Sequence, residues 1–324
     1  MHSSRTIAAV AIAFLHQLPG LADEVSVEKI TYHGWNDCLI LKNSKVEAII
    51  VPAVGRVMQF RFAGEEDGVF WENRALDGKS PDPKSKDWGN FGGDKTWPAP
   101  QSDWAKVTDR AWPPPPAFDS MPVESSTGRL KPAAKGVWLK SPIDPFYGIR
   151  TERIISLGEE DSSSEGASFI QIRTIYHKVE GEPRKVGIWT ITQLKDPVEV
   201  LMPVTATSAF KEGYNKQSDA LPLGLTLRDG LLAMKRDRTK NTKIGNDSDK
   251  LIWVGERSVL QIESPRVANA EYPDQGSSAE VYTNADPLPY VELELLGPLT
   301  TMKTGDRIEQ MMKYTLGRTR GDIK

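Results

Sequence analysis

Cys38 is the only cysteine in 324 residues, so neither an intrachain disulfide nor a cysteine-based zinc site is possible. Histidine is nearly as scarce: beyond His2 and His16 near the N-terminus there are only His33 and His177, too few for a multi-histidine metal centre. No block of basic residues stands out in a chain with 41 Lys and Arg against 44 Asp and Glu, which argues against a nucleic-acid partner. No dinucleotide fingerprint, P-loop or nucleophile elbow is present, so no cofactor is expected. The "DSD" of Asp247–Asp249 lacks the spaced ligands of a calcium loop and reads as a polar turn, and no metal is expected either. Amphipathic stretches of three helical turns are missing as well.

The only long apolar run is "IAAVAIAFL", Ile7 to Leu15. At roughly 9 residues it is well short of the ~20 needed to span a bilayer. It follows Arg5 and precedes Pro19, with the small residues Gly20 and Ala22 just ahead of the acidic Asp23 and Glu24. That pattern reads as a secretory signal peptide over 1–22, cleaved after Ala22. The expectation is a secreted or periplasmic protein with no membrane attachment after cleavage. Residues 23–324 would then form a single domain held by core packing alone.

What fills the chain is alternation. "CLILKN" (38–43), "KVEAIIV" (45–51), "RVMQFRFAG" (56–64), "ASFIQIRTIYH" (167–177), "KVGIWTITQL" (185–194), "LIWVG" (251–255) and "SVLQIES" (258–264) carry the two-residue period of half-buried strands. The fold class this predicts is all-β, a large antiparallel β-sandwich.

Residues 73–135 interrupt that rhythm. Four of the nine tryptophans, Trp88, Trp97, Trp104 and Trp112, lie there among prolines and glycines. A long stretch so rich in rings is expected to be an ordered loop excursion over one face of the sandwich. Its centre, "GGDKTWPAPQSDW" (92–104), reads as a loop on the rim of a cleft, with Gly92 and Gly93 allowing a tight turn and Trp97 offering a stacking surface. The alternative is that Trp97 and Trp104 cap the core.

In "YVELELLGP" (290–298), alternation places Val291, Leu293 and Leu295 on one face and Tyr290, Glu292 and Glu294 on the other. Two acids and a phenol on one surface fit either a solvated sheet face or the floor of a cleft in which one acid is a general base. Tyr272, Asp274, Glu280 and Tyr282 cluster upstream around a turn. Rings that stack on sugar C–H faces, with carboxylates that accept from hydroxyls, would suit a carbohydrate. A hairpin edged by tyrosines fits the same residues.

Several of these strings together resemble a bacterial domain family of the galactose-mutarotase-like superfamily. They are "YHGWNDCLILKNSKVEAIIVPAVGRVMQF" (32–60), "GGDKTWPAPQ" (92–101), "WPPPP" (112–116), "IWTITQ" (188–193), "KIG" (243–245), "YPDQGSSAEVYTN" (272–284) and "YVELELLGPL" (290–299). The resemblance implies the β-supersandwich of aldose 1-epimerases, with a sugar or glycan on a concave sheet face. It also implies Glu294 as the base that takes the anomeric proton. Where such enzymes carry an acid histidine, this chain has Trp189, Thr192 and Gln193, which leaves Asp94, Lys95 or Asp274 to substitute. Arg56, Lys95, Trp97, Gln101, Trp189, Gln193, Tyr272, Tyr290 and Glu292 are the expected substrate contacts. The readings this leaves are an aldose epimerase, a non-catalytic glycan-binding protein, and a polysaccharide lyase or hydrolase using the same cleft. Oligomeric state is not legible.

Overall fold

A computed structural model describes residues 25–82, 84–85, 87–131, 134–159 and 168–319. The signal-peptide reading of 1–22 lies outside the described residues. Two antiparallel sheets stack face to face. In the first, the strand order is Ser26–Tyr32, Trp35–Lys42, Val46–Val51, Arg56–Phe62, Asp94–Ala99, Arg184–Lys195, Tyr290–Leu296, Ala279–Thr283, Thr242–Asn246 and Asn215–Lys216, with Thr300–Met302 also pairing with Arg184–Lys195. The second runs Leu223–Arg228, Leu231–Lys235, Glu199–Pro203, Lys250–Val254, Ser258–Glu263, Arg307–Arg318, Ser168–Lys178, Ile149–Glu159, Ala134–Ile143 and Glu124–Lys131. The expected antiparallel sandwich is therefore what the chain forms. Among the described residues the α-helices, Trp104–Val107, Pro116–Asp119 and Pro273–Gly276, are single turns.

Alternation decides which face meets the core. Val291, Leu293 and Leu295 from the first sheet join Ile170, Ile172, Leu260 and Ile262 from the second in one buried cluster, while Tyr290, Glu292 and Glu294 turn outward. Burying such a side chain fully is worth about 1.5–3 kcal/mol, so a one-residue slip would be heavily disfavoured.

The 73–135 stretch is not all loop: Glu124–Lys131 is the end strand of the second sheet, and Asp94–Ala99 is a strand inside the first. Its glycines and prolines conceal this in the sequence. Along one side it pairs with Arg184–Lys195 from Asp94 to Ala99, but on the other side only Asp94 meets a strand partner, Val57. Pro98 therefore lies on a free strand edge, where a missing N–H breaks no ladder. Gly92 and Gly93 turn the chain into this strand at φ of 93° and 70°. A Cβ on Gly92 would come within 2.3 Å of the Trp71 carbonyl oxygen, so both the angle and the space call for glycine.

Candidate functional site

The outward face of the first sheet carries a cavity of about 810 Å³, with Trp189, Lys243, Tyr282, Tyr290, Glu292 and Glu294 along its sheet side and Trp88, Trp112 and Pro113 among its loop residues. Strand pairing fixes the sheet side: Gln193 faces Glu292, Tyr282 faces Glu292 from the other flank, Glu280 faces Glu294, and Lys243 faces Tyr282. Alternate residues of four neighbouring strands thus project their polar groups to one surface.

Glu294 is almost wholly buried at its centre. Its Oε2 accepts from the Trp189 indole N–H at 2.7 Å and from Lys243 Nζ at 2.9 Å. The same ammonium lies 2.7 Å from Glu280 Oε2 and 4.6 Å from the Trp189 ring centroid. Burial pushes the Glu294 carboxyl up to about 7; Lys243 pulls against that shift and the adjacent Glu280 adds to it. Burial works against the Lys243 charge, but the Glu280 and Glu294 carboxylates outweigh it and hold the lysine above its ordinary range. Glu292 is also raised by burial; it accepts from Gln193 Nε2 at 2.8 Å and has Lys95 Nζ at 3.5 Å. The Tyr282 and Tyr290 phenols are raised by burial and remain protonated donors near neutral pH.

Of the residues expected from the sequence, Glu294, Glu292, Tyr290, Trp189, Trp97 and Gln101 line this cavity. Lys95 and Gln193 do not line it but pair with Glu292, and burial lowers the pKa of Lys95. Trp97 is a strand residue and is only 3% exposed. It packs edge-to-face against Trp88, Trp104, Trp112 and Trp189 and donates to Asp119 Oδ1 at 2.9 Å, so it serves the core as well as the cavity wall.

The structure takes four expected residues elsewhere. Asp94 points between the sheets, where it meets Arg153, the Thr192 hydroxyl at 2.8 Å and the Tyr314 hydroxyl at 2.5 Å. Alternation dictates this, since Lys95 and Trp97 occupy the other face of the same strand. Arg56 is fully buried, donating to the Gly92 carbonyl at 2.7 Å and to Asp119 at 2.8 Å. Asp119 also accepts the Trp88 indole N–H at 3.1 Å, so the pair braces the tryptophan wall from behind. Tyr272 stacks under the Arg266 guanidinium at 4.1 Å and accepts from the Val267 N–H. Asp274 occupies a left-handed turn at φ 49°; burial raises its carboxyl, Lys243 and Glu280 both act on it, and it does not line the cavity.

Lys243 is the most consequential of the residues that sequence reasoning missed. It belongs to the five-residue strand "TKIGN", and "KIG" alone gives no hint that its ammonium is shared by two glutamates on two other strands. Asp119 and Asn90 were missed too, both in the stretch that lacks periodicity. Among the described residues no group of three or more His, Cys, Asp and Glu side chains is placed to hold a metal ion, and no helix is long and apolar enough to cross a membrane.

Similar architectures occur among solved structures. Galactose 1-epimerase from Lactobacillus acidophilus NCFM superposes with a TM-score of 0.51 at 10% identity, covering 92% of this chain and 99% of that one. The Slr1438 protein from Synechocystis sp. PCC 6803 gives a TM-score of 0.52 at 11% identity, covering 90% of this chain and 100% of that one. At such identities the likeness is one of fold, a galactose-mutarotase-like sandwich. A comparison with curated proteins returns no match. The family model of the domain of unknown function DUF4380 matches residues 37–316, and the chain belongs to that family.

Proposed function

We propose that the chain is an exported carbohydrate-interacting protein in which Glu294 acts as a general base on the anomeric hydroxyl of an aldose. The observation that carries this reading is a buried carboxyl with its pKa raised to about 7, on the floor of a cavity walled by indole and phenol rings. A base poised near neutrality combines ionisation at working pH with useful proton affinity. The solved galactose 1-epimerase with the same fold adds support at the level of architecture.

In the step envisaged, the Glu294 carboxylate takes the proton from the anomeric O–H while the bond from the anomeric carbon to the ring oxygen breaks. The ring oxygen gains a proton from solvent, while Lys243, held as ammonium by Glu280 and Glu294, keeps its charge and steadies the Glu294 carboxylate. Rotation of the aldehyde and reversal of the transfer then close the ring on the other face. Trp189 holds the carboxylate in place, Tyr290 offers a donor to the remaining hydroxyls, and Tyr282, whose O–H donates to Asn284 Oδ1 at 2.9 Å, offers them an acceptor.

Exchange NMR on the α and β anomers of galactose and glucose tests this directly, because protein should raise the interconversion rate above that in buffer. Glu294 must be ionised to act, so the rate should fall as pH drops through about 7 and level off above it. Lys243 lowers the Glu294 pKa, so Lys243→Met should move this acid limb to higher pH. Buffer-level exchange at every pH, with sugar binding still detectable, would support the second reading, a glycan-binding protein without catalysis. One observation favours that reading: neither His33 nor His177 lines the cavity, and His177 sits in the second sheet, 3.0 Å from Glu152.

A further inference from the structure

Sugar bound over Glu294 would leave much of the cavity unused. Its volume, about 810 Å³, lies in the upper part of the ~300–1,000 Å³ range of small-ligand sites, whereas a pyranose is a ligand of only about a dozen non-hydrogen atoms. The space beyond Trp189 is bounded by the loops on either side of the Asp94–Ala99 strand, and two features there point to a ligand: a half-open ring and a buried amide.

Trp112 is one. The residue is 44% exposed although it stacks on Trp104 at 6.2 Å between centroids, and the neighbouring Trp97 and Trp104 are almost fully buried. It contacts Trp88 and Trp97 at 5.2 and 5.8 Å between centroids, and Trp97 leads to Trp189 in a further 5.2 Å, so the open ring is two indole steps from the one bonded to Glu294. Pro113 and Pro114 extend the same wall. A tryptophan needed only for packing would be better covered. Asn90 is the other. Its side chain is buried on the cavity wall, yet neither of its polar atoms completes a hydrogen bond within the protein, although the Tyr290 hydroxyl lies beside it. A buried amide left in that state is destabilising, and a ligand hydroxyl reaching it would offset the loss. Gln101, Arg110 and Asp87 add polar groups to this lining.

We propose that Trp88, Trp112 and Pro113–Pro114 form a second saccharide subsite, so that the ligand carries at least two sugar rings, one over Trp189 and Glu294 and the next against Trp112. This rests on the carbohydrate reading above and narrows it from free monosaccharides to oligosaccharides. Trp112 is then a specificity-determining residue: its ring contributes to binding of the second sugar and not to proton transfer at the first.

The test is a glycan array spanning mono- to tetrasaccharides on the full chain, followed by calorimetric titration of the best disaccharide and its constituent monosaccharides. The disaccharide should bind wild type about tenfold or more tighter than either monosaccharide, the gain expected of one additional stacked ring. Trp112→Ala should abolish that margin, and Trp112→Phe should restore most of it. A disaccharide no tighter than its monosaccharides, or a Trp112→Ala loss equal for both, overturns the subsite and leaves the sugar reading intact. Absence of any sugar binding overturns the sugar reading and the subsite with it. Circular dichroism of each variant separates lost recognition from lost folding.

Discussion

Glu294→Gln is expected to lower the protein-dependent rate of anomer exchange by about 10²–10⁴-fold, the usual contribution of a positioned general base. The amide keeps the size of the side chain and still accepts from the Trp189 indole N–H, so sugar affinity should change far less than the rate. The substitution also removes one of the two carboxylates that hold Lys243 charged, while Glu280 remains 2.7 Å from its Nζ. The fold is therefore expected to survive, and equal melting profiles for wild type and variant would establish that. Exchange NMR supplies the rate and calorimetry the affinity. A variant that keeps the wild-type rate would remove Glu294 from the chemistry, and one that unfolds would make its carboxylate structural.

Asp94→Ala should behave in the opposite way, costing stability and sparing the site. Its carboxylate is enclosed between the sheets and faces Arg153 of the second sheet, with Thr192 and Tyr314 donating to its other oxygen. Truncation strands a buried guanidinium, a change that typically costs about 3–5 kcal/mol. Urea denaturation should show this as a lower midpoint at unchanged slope, with anomer exchange retained by the folded fraction. An unchanged midpoint with lost exchange would return Asp94 to the list of candidate acids.

These two acids show what could be read from sequence and what could not. The "YVELELL" run announces its own orientation, because period-two alternation needs only local information and its apolar half is plainly core. Asp94 sits two residues after Gly92 and four before Pro98, in a segment whose composition hides its strand; with the strand unseen, nothing indicates which way its carboxylate points. The partners that fix its role, Arg153, Thr192 and Tyr314, come from three distant strands. Lys243 illustrates the same limit from the cavity side, since one lysine in a five-residue strand gains meaning only from register with Glu280 and Glu294. Arg56 and Asp119 likewise lie 63 positions apart and meet only in the fold. The sheet-borne half of the site was therefore legible in outline, while the loop-borne wall and the buried ion pairs behind it depend on long-range pairing.

In the proposed function the anomeric hydroxyl of a bound sugar meets Glu294. A crystal structure of the wild-type chain with a reducing disaccharide bound tests it most directly. The anomeric oxygen is expected within hydrogen-bonding distance of a Glu294 carboxylate oxygen, with the sugar ring beside Trp189 and the second ring against Trp112. A sugar seated with its anomeric carbon away from Glu294, or bound outside this cavity, would contradict it.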